Sequence, residues 1–157
     1  MKKYIIVFLI SMVPLIELRG AIPYAVGMGL PVVPSIIVSV IGNMIPVPFI
    51  FLFARRVLEW GKDKRYIGKF FTWCLEKGEK GGRKLEAKAG AGLYIALLLF
   101  VGIPLPGTGA WTGTLAASIL DMDFKKSMLY VFLGLLLAAG IMLLASLGVF
   151  GAINLVK

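Results

Sequence analysis

The stretch "PLIELRGAIP", residues 14–23, places an acid and a base inside a run that otherwise reads like a membrane segment. Glu17 and Arg19 are followed directly by a glycine and, three residues later, by a proline. Ionisable side chains at membrane depth are costly, at about 3 kcal/mol each on insertion scales, and they mark functional sites by default. Both the fold around this stretch and the role of its two charges therefore need explaining.

The chain as a whole has the composition of a membrane protein. Of its 157 residues 59% are hydrophobic, and the mean hydropathy is +0.93. A soluble domain of this length needs far more polar surface. The apolar runs 36–54 and 127–153 reach the roughly 20 residues that a helix needs to cross a bilayer, whereas 4–16 and 91–103 are shorter. We expect an all-α integral membrane protein with several membrane-embedded segments.

The composition argues against several classes of function. Cys74 is the one cysteine, so neither an intrachain disulfide nor a cysteine-based metal cluster is possible, and the chain has no histidine for a conventional zinc site or proton relay. No nucleophile–base arrangement can be built from the sequence, so we expect no enzyme, no metal and no cofactor. Residues 1–16 resemble a signal peptide but lack an Ala-x-Ala-like cleavage site, and we expect them to be retained.

Most of the net charge of +9 lies in one segment, residues 55–90. By the positive-inside rule this segment is cytoplasmic, so its charge indicates topology and contact with anionic lipid headgroups, with no nucleic-acid partner. Within it, "DKRYIGKFFTWCLEK" (63–77) predicts a basic amphipathic helix in the membrane interface, most simply a passive anchor. A flexible linker is expected to follow. The expected location is the cytoplasmic membrane of a prokaryote.

The two apolar halves present the same features in the same order: a short arm, a break, a second short arm, a turn and a full span. The break is "ELRG" in the first half and "PLPGTG" (104–109) in the second. Non-helical backbone at membrane depth survives only when it is buried in protein or lines a wet cavity. We therefore predict an inverted repeat of a re-entrant helical hairpin plus a transmembrane helix, in a single membrane domain divided into 1–54, 55–90 and 91–157. Loop charges leave one alternative open, four full spans at 4–30, 35–54, 91–120 and 127–153.

Glu17 and Arg19 are two residues apart, so a straight helix would not bring them together. At a broken hairpin tip they would either pair with each other or reach across to the other half. A buried ion pair that fixes the tip is the structural interpretation. In the functional interpretation Arg19 binds a phosphate or carboxylate, and Glu17 takes up and releases a proton. Without histidine, the candidate titrating groups are Glu17, Asp121 and Asp123, although the two aspartates also suit a solvated turn.

The stretch "PLPGTGAWTG", residues 104–113, complements the first break. Its small residues allow close approach of a ligand to the backbone, and Thr108 and Thr112 supply hydroxyl groups. A helix beginning near Ala110 would point its free N–H groups into the same place, which also suits an anion. The alternative is a tight break that permits close helix packing.

Together, "ELRGAIP" (17–23) and "PLPGTGAWTG" in so short a chain resemble the small multidrug export protein family. That family in turn resembles the DedA superfamily, which includes polyprenyl-phosphate carriers. The resemblance covers nearly the whole chain and implies a substrate site between two inverted re-entrant hairpins. Larger relatives typically carry an Arg after the second Pro-Gly, where this chain has Thr108. The candidate substrate-binding residues are Glu17, Arg19, Gly20, Pro106, Gly107, Thr108, Gly109 and Thr112.

The leading functional hypothesis is a carrier that moves an anionic lipid, such as undecaprenyl phosphate, across the membrane, with Arg19 holding the headgroup. The alternative is a proton-coupled exporter of small cationic compounds, with Glu17 as the binding carboxylate. A third hypothesis, a non-transporting scaffold or channel-like subunit, predicts that neutralising either charge affects stability alone. Two spans and two hairpins are too few to shield a polar cavity from lipid, so we expect a homodimer or larger.

Overall fold

The computed structural model describes residues 2–14, 16–64, 68–69, 72–73, 76, 90 and 92–155, without the side chains of 150 and 152–155. No strand occurs among these residues, which confirms the prediction of an all-α fold. The helices are α1 (Lys2–Met12), α2 (Glu17–Gly27), α3 (Val32–Met44), α4 (Pro46–Gly61), α5 (Gly92–Gly102), α6 (Ala110–Ile119) and α7 (Phe124–Leu155).

Among the residues that the structure describes, two stretches are long and apolar enough to cross a membrane. The first, Val32–Gly61, has 30 residues and consists of α3 and α4, while the second, Phe124–Val149, has 26 residues and lies in α7. The first contains the run 36–54 that the sequence indicates as a span, and the second contains the run 127–153 as far as Val149. Large apolar side chains on these helices are exposed, such as Phe49 at 65% and Leu144 at 73%. An outward-facing apolar surface of this kind is what contact with lipid requires.

The remaining helices α1, α2, α5 and α6 are short. Each has 10 or 11 residues, which corresponds to about 16 Å, roughly half the thickness of the hydrocarbon core. The second break falls where the sequence predicts it, because α5 ends at Gly102 before the two prolines and α6 begins at Ala110. None of these helices is long enough to cross a bilayer by itself.

The first break lies four residues earlier than the sequence indicates. The chain leaves α1 after Met12, and "ELRG" forms the first turn of α2 instead of interrupting it. Pro14 accounts for part of this difference, because a proline disfavours helical conformation in the residue before it. Glu17 begins α2 with a φ of 52°, a conformation that non-glycine residues adopt only when their surroundings hold them there.

The two halves interlock around a shared core. The second short helix of each half contacts a long helix of the other half, since α2 packs against α7 and α6 packs against α4. The largest buried apolar side chains are contributed by both halves: Leu18, Ile22, Val47, Val101, Val131 and Leu135. This arrangement brings the two breaks together.

The predicted amphipathic helix lies largely outside the described residues. Tyr66, Phe70 and Cys74, which define its apolar face in the sequence, are among those not described, and so is most of the predicted linker. Trp73 is described and is exposed. The interfacial helix therefore stays a prediction.

Gly134 allows α5 and α7 to pack closely, and this contact gives a first test of the fold. A Cβ atom at Gly134 would lie 2.8 Å from the Leu98 carbonyl oxygen, whereas one at Gly140 on the same helix would meet nothing within 4 Å. We expect Gly134→Ala to lower the free energy of unfolding by about 1–3 kcal/mol through overpacking. Gly140→Ala should raise it by up to about 1 kcal/mol through helix propensity. Unfolding in mixed micelles measures both, and equal effects would contradict the packing described.

Candidate functional site

The two charges of the first break reach across to the second break, in opposite directions. Arg19 binds carbonyl groups at the end of α5 and in the loop after it, and Glu17 binds the first amides of α6. We call Glu17, Arg19 and the backbone atoms of residues 101–111 that they contact the interhalf clamp. Within the described part of the chain, Glu17 and Arg19 form no ion pair with each other. Of the two arrangements left open by the sequence, the chain adopts the one that joins the halves.

Arg19 donates hydrogen bonds to several carbonyl oxygens that lie close together. Its Nη1 donates to the carbonyls of Leu105 and Thr108, both at 2.8 Å. Its Nη2 donates to the carbonyls of Val101 and Ile103, both at 3.2 Å, and to the Thr108 hydroxyl at 2.9 Å. The last carbonyls of a helix lack partners within it and form the negative end of its dipole. A guanidinium fork can bind several of them at once, which a lysine ammonium cannot do in the same geometry.

Glu17 accepts hydrogen bonds from the first backbone amides of α6. The Ala110 amide donates to Oε2 at 3.2 Å, and the Trp111 amide donates to Oε1 at 3.0 Å. Glu17 is only 3% exposed, so this carboxylate is held away from water by the protein. The amides of a helix N-terminus and its positive dipole both stabilise a negative charge there. The anion at the predicted anion site is therefore the chain's own carboxylate.

Gly109 makes room for this contact. Its φ of 143° lies in a region that side chains rarely allow. A Cβ atom there would also lie 2.8 Å from the carboxyl carbon of Glu17. The glycine that the sequence indicates as a ligand-approach position thus admits the Glu17 side chain.

A groove of about 620 Å³ runs between α4 and α6 and reaches the clamp. Its described lining residues are Pro14, Glu17, Ile50, Phe53, Ala54, Val57, Leu58, Thr108, Trp111, Thr112, Leu115 and Ile119. Glu17 is the charged residue among them, and Thr108 and Thr112 supply the hydroxyl groups. This α4–α6 groove is therefore an apolar channel with one carboxylate in its wall. Its volume lies within the range of about 300–1,000 Å³ that is typical of small-molecule sites.

The predicted substrate-binding residues divide between the clamp and the groove. Thr108 belongs to both, and Thr112 lines the groove. Pro106 and Gly107 are exposed on the outer turn of the second break and do not line the groove. Gly20 lies on α2 against Ile16, where a Cβ atom would collide with that side chain.

The two candidate proton-coupling aspartates have separate partners. Asp121 forms an ion pair with Arg55 of α4. Asp123 accepts a hydrogen bond from the Lys126 amide at 2.8 Å, which makes it the N-terminal cap of α7. Among the described residues no group of three or more His, Cys, Asp or Glu side chains could hold a metal ion.

Sequence reasoning missed the apolar walls of the groove. Trp111 and Leu115 on α6, and Ile50 and Phe53 on α4, contribute to these walls. The signal was present as side chains recurring three or four residues apart on one face of each helix. It could not be separated from ordinary lipid-facing or core positions, because apolar side chains are found on more than one face of these helices.

The clamp predicts a large effect of Arg19 on stability. Arg19→Gln removes the donors for four carbonyl oxygens, so we expect the free energy of unfolding to fall by about 3 kcal/mol, the lower end of the range for breaking a buried charged contact. Arg56→Gln, on the exposed surface of α4, is the matched control and should change it by less than about 0.5 kcal/mol. Titration with a denaturing detergent measures both variants. Equal stabilities would contradict the clamp.

Comparison with known proteins assigns the chain to a family. Neither a curated protein nor a solved structure matches it significantly. Residues 17–141 match the family described as "Putative small multi-drug export protein", a range that begins at Glu17 and includes the second break, the whole first candidate span and most of the second. The relation to the DedA superfamily remains an implication of the sequence resemblance. With its two long apolar helices, the chain is a membrane protein and belongs to the small multi-drug export protein family.

Proposed function

We propose that the protein is a proton-coupled transporter of small lipophilic cations and that Glu17 binds the cation and the proton in turn. The observation that carries this proposal is the α4–α6 groove, in which Glu17 is the charged group among the described lining residues. Arg19, which would repel a cation, is directed to the carbonyls of the second break and does not line the groove. The family's name, which refers to small multi-drug export, agrees with this substrate class.

The groove suits a cation with an apolar body. Its walls would replace water around the body, and Trp111 and Phe53 offer aromatic faces that attract positive charge. An ionised carboxylate has about four lone-pair sites, and two of those on Glu17 are used by the amides of Ala110 and Trp111. In this proposal the others bind the ligand. A buried negative charge therefore adjoins a space of the right size and polarity.

Exchange of proton and cation follows from the shared carboxylate. A protonated Glu17 has no charge to offer a cation, and an ionised Glu17 favours one, so the two ligands compete. Protonation also weakens the bonds from Glu17 to α6, because charge-assisted hydrogen bonds are roughly twice as strong as neutral ones. The state of Glu17 is thus coupled to the contact between the two halves, as a transport cycle requires.

The anionic-lipid carrier, the leading hypothesis from the sequence, remains a second prediction. The two groups expected to bind a headgroup, the Arg19 guanidinium and the first amides of α6, are both engaged within the chain. A phosphate would have to displace Glu17 and several carbonyls before it could bind. The open anion site on which that hypothesis depends is absent from the described part of this conformation.

We also propose the inverted pair of re-entrant hairpins in the cytoplasmic membrane of a prokaryote, with residues 55–90 in the cytoplasm. In the alternative with four full spans, Arg55 and Asp121 would lie on opposite sides of the bilayer. Their ion pair supports the hairpin arrangement, and so does the contact between the rings of Phe51 and Phe124, whose centroids lie 5.3 Å apart. The shortness of α1, α2, α5 and α6 supports it too.

The proposed working unit is a homodimer, because the described part of a single copy contains two long apolar helices, too few to shield the α4–α6 groove from lipid on all sides. A second copy would shield Glu17 from lipid during transport. Chemical crosslinking in intact membranes should yield a dimer. A monomer alone, in membranes where a known dimer is crosslinked under the same conditions, would refute it.

The central test is ethidium transport in proteoliposomes with an acidic interior. Antiport of luminal protons should drive ethidium uptake by the wild type. Glu17→Gln keeps the shape of the side chain and removes its charge, and we expect the rate to fall at least ~30-fold, as removal of one partner of a buried charged contact costs about 2 kcal/mol or more. The matched control is Glu76→Gln, an exposed glutamate outside the groove, which should transport at the wild-type rate.

Two results would overturn the proposal. One is uptake by the wild type that does not respond to the pH gradient, and the other is an equal rate for Glu17→Gln at equal reconstitution. Mass spectrometry of co-purifying lipids provides the second arm of the test. Polyprenyl phosphate enriched on the wild type and lost from a folded Arg19→Gln variant would favour the lipid carrier instead.

A further inference from the structure

Helix α6 separates two kinds of surface. Trp111, Thr112, Leu115 and Ile119 line the α4–α6 groove, whereas Ala110, Thr114 and Ser118 are buried in the protein core. Glu17 lines the groove and also accepts the amide of Ala110, whose side chain lies on the core face. The carboxylate is therefore adjacent to the groove and to the first residue of the core face.

The core face of α6 carries an unused hydroxyl group. Thr114 has no exposed surface, and its Oγ1 makes no hydrogen bond with any residue that the structure describes. Buried hydroxyl groups normally have a partner, so one without any indicates a position for a water molecule or a passing proton. Ser118 is one turn further along, where it donates to the Phe51 carbonyl at 2.7 Å and keeps its oxygen free to accept.

These groups form a line that ends in water. Ala110, Thr114 and Ser118 are each one turn apart, at about 5.4 Å per turn, and Asp121 follows three residues later. The Asp121 side chain is 41% exposed and paired with Arg55. The line therefore runs from the buried carboxylate of Glu17 to a solvent-exposed carboxylate at the end of α6.

We propose that protons travel between Glu17 and Asp121 along the core face of α6, through Thr114 and Ser118 and the water molecules between them, while the substrate uses the groove face. This inference rests on the proposed function. In one passage the Glu17 carboxyl group gives up its proton, each hydroxyl or water accepts one proton and releases another, and Asp121 or the water around it receives one. Glu17 is left as a carboxylate, and the relay groups are chemically unchanged.

The charged groups around the proposed route from Glu17 to Asp121 are engaged with other partners. Arg55 of α4 forms an ion pair with Asp121 at the exposed end of the route. Asp123 is engaged in capping α7. Its own amide donates to the Tyr94 hydroxyl, and Lys126 lies over the ring of Tyr94. Arg19, at the other end, is bound to carbonyls.

Separate routes have a consequence for coupling. If proton and cation shared the groove, an arriving cation would block the departing proton. When the proton leaves along the core face, the cation can approach Glu17 from the groove as the carboxyl group becomes ionised. Substitutions on the core face should therefore slow proton exchange without weakening the binding of a cation.

The test is Thr114→Val, which keeps the shape of the side chain and removes the hydroxyl group. We expect pH-driven ethidium uptake in the proteoliposomes to fall at least ~10-fold, at the low end of the usual contribution of a proton-transfer group. Equilibrium binding of ethidium at alkaline pH should stay within twofold of the wild type. Thr114→Ser restores a hydroxyl and should restore most of the rate. The control is Ser39 of α3, whose buried hydroxyl group likewise has no hydrogen bond among the described residues. Ser39→Ala should leave the rate unchanged.

The outcomes separate this inference from the function on which it rests. Loss of coupling in Glu17→Gln with a normal rate in Thr114→Val would overturn the relay alone. A normal rate in Glu17→Gln would overturn the proposed function and the relay with it. If Thr114→Val does not fold, Ser118→Ala takes its place, with the same expected loss of rate and retained binding. A lower rate accompanied by equally weakened binding would assign these residues a purely structural role.

Discussion

The fold depends on one constraint: the backbone groups left free where a helix begins or ends in the protein interior must be satisfied by other groups of the protein. Two side chains of the first half bind the free backbone groups of the second break. Arg19 donates to carbonyls at the end of α5 and in the loop after it, and Glu17 accepts from the amides that begin α6. Each charge lies at the helix end whose dipole favours it. The cost of placing an acid and a base among apolar residues is thereby offset, and the two halves are joined where both are broken.

The same constraint explains why the clamp is also suited to function. Besides its contacts with α6, the Glu17 side chain forms part of the wall of the α4–α6 groove. In the proposed function, a change in its charge alters both the affinity of the groove for a cation and the strength of the contact with α6. Arg19 maintains the shape of the second break throughout, because an arginine keeps its charge at any physiological pH. Glu17 is thus proposed to change its charge during transport, and Arg19 is proposed to keep the second break in its conformation.

Much of the fold can be predicted from the lengths of the apolar runs and the positions of the prolines. The long apolar runs predict the spans, and the prolines after Ile103 predict both the second break and the start of α6 at Ala110. The first break was misplaced, because "ELRG" is irregular in composition but helical in the structure, where bonds to the other half hold Glu17. The partners of Glu17 and Arg19 could not be predicted either, since residues about 90 positions apart meet only through tertiary packing. A free helix N-terminus suggested an external anion, whereas the chain supplies its own.

The most direct measurement of the clamp is an NMR spectrum of the protein labelled with ¹⁵N-tryptophan, because the chain has only three tryptophans. The backbone amide of Trp111, which donates to a buried carboxylate, should resonate far downfield. It should move upfield in Glu17→Ala but not in Glu76→Ala, while the amide signals of Trp60 and Trp73 remain in place. Three amide signals that are all unchanged by the loss of Glu17 would show that the carboxylate does not bind α6, and they would contradict the joining of the two halves described here.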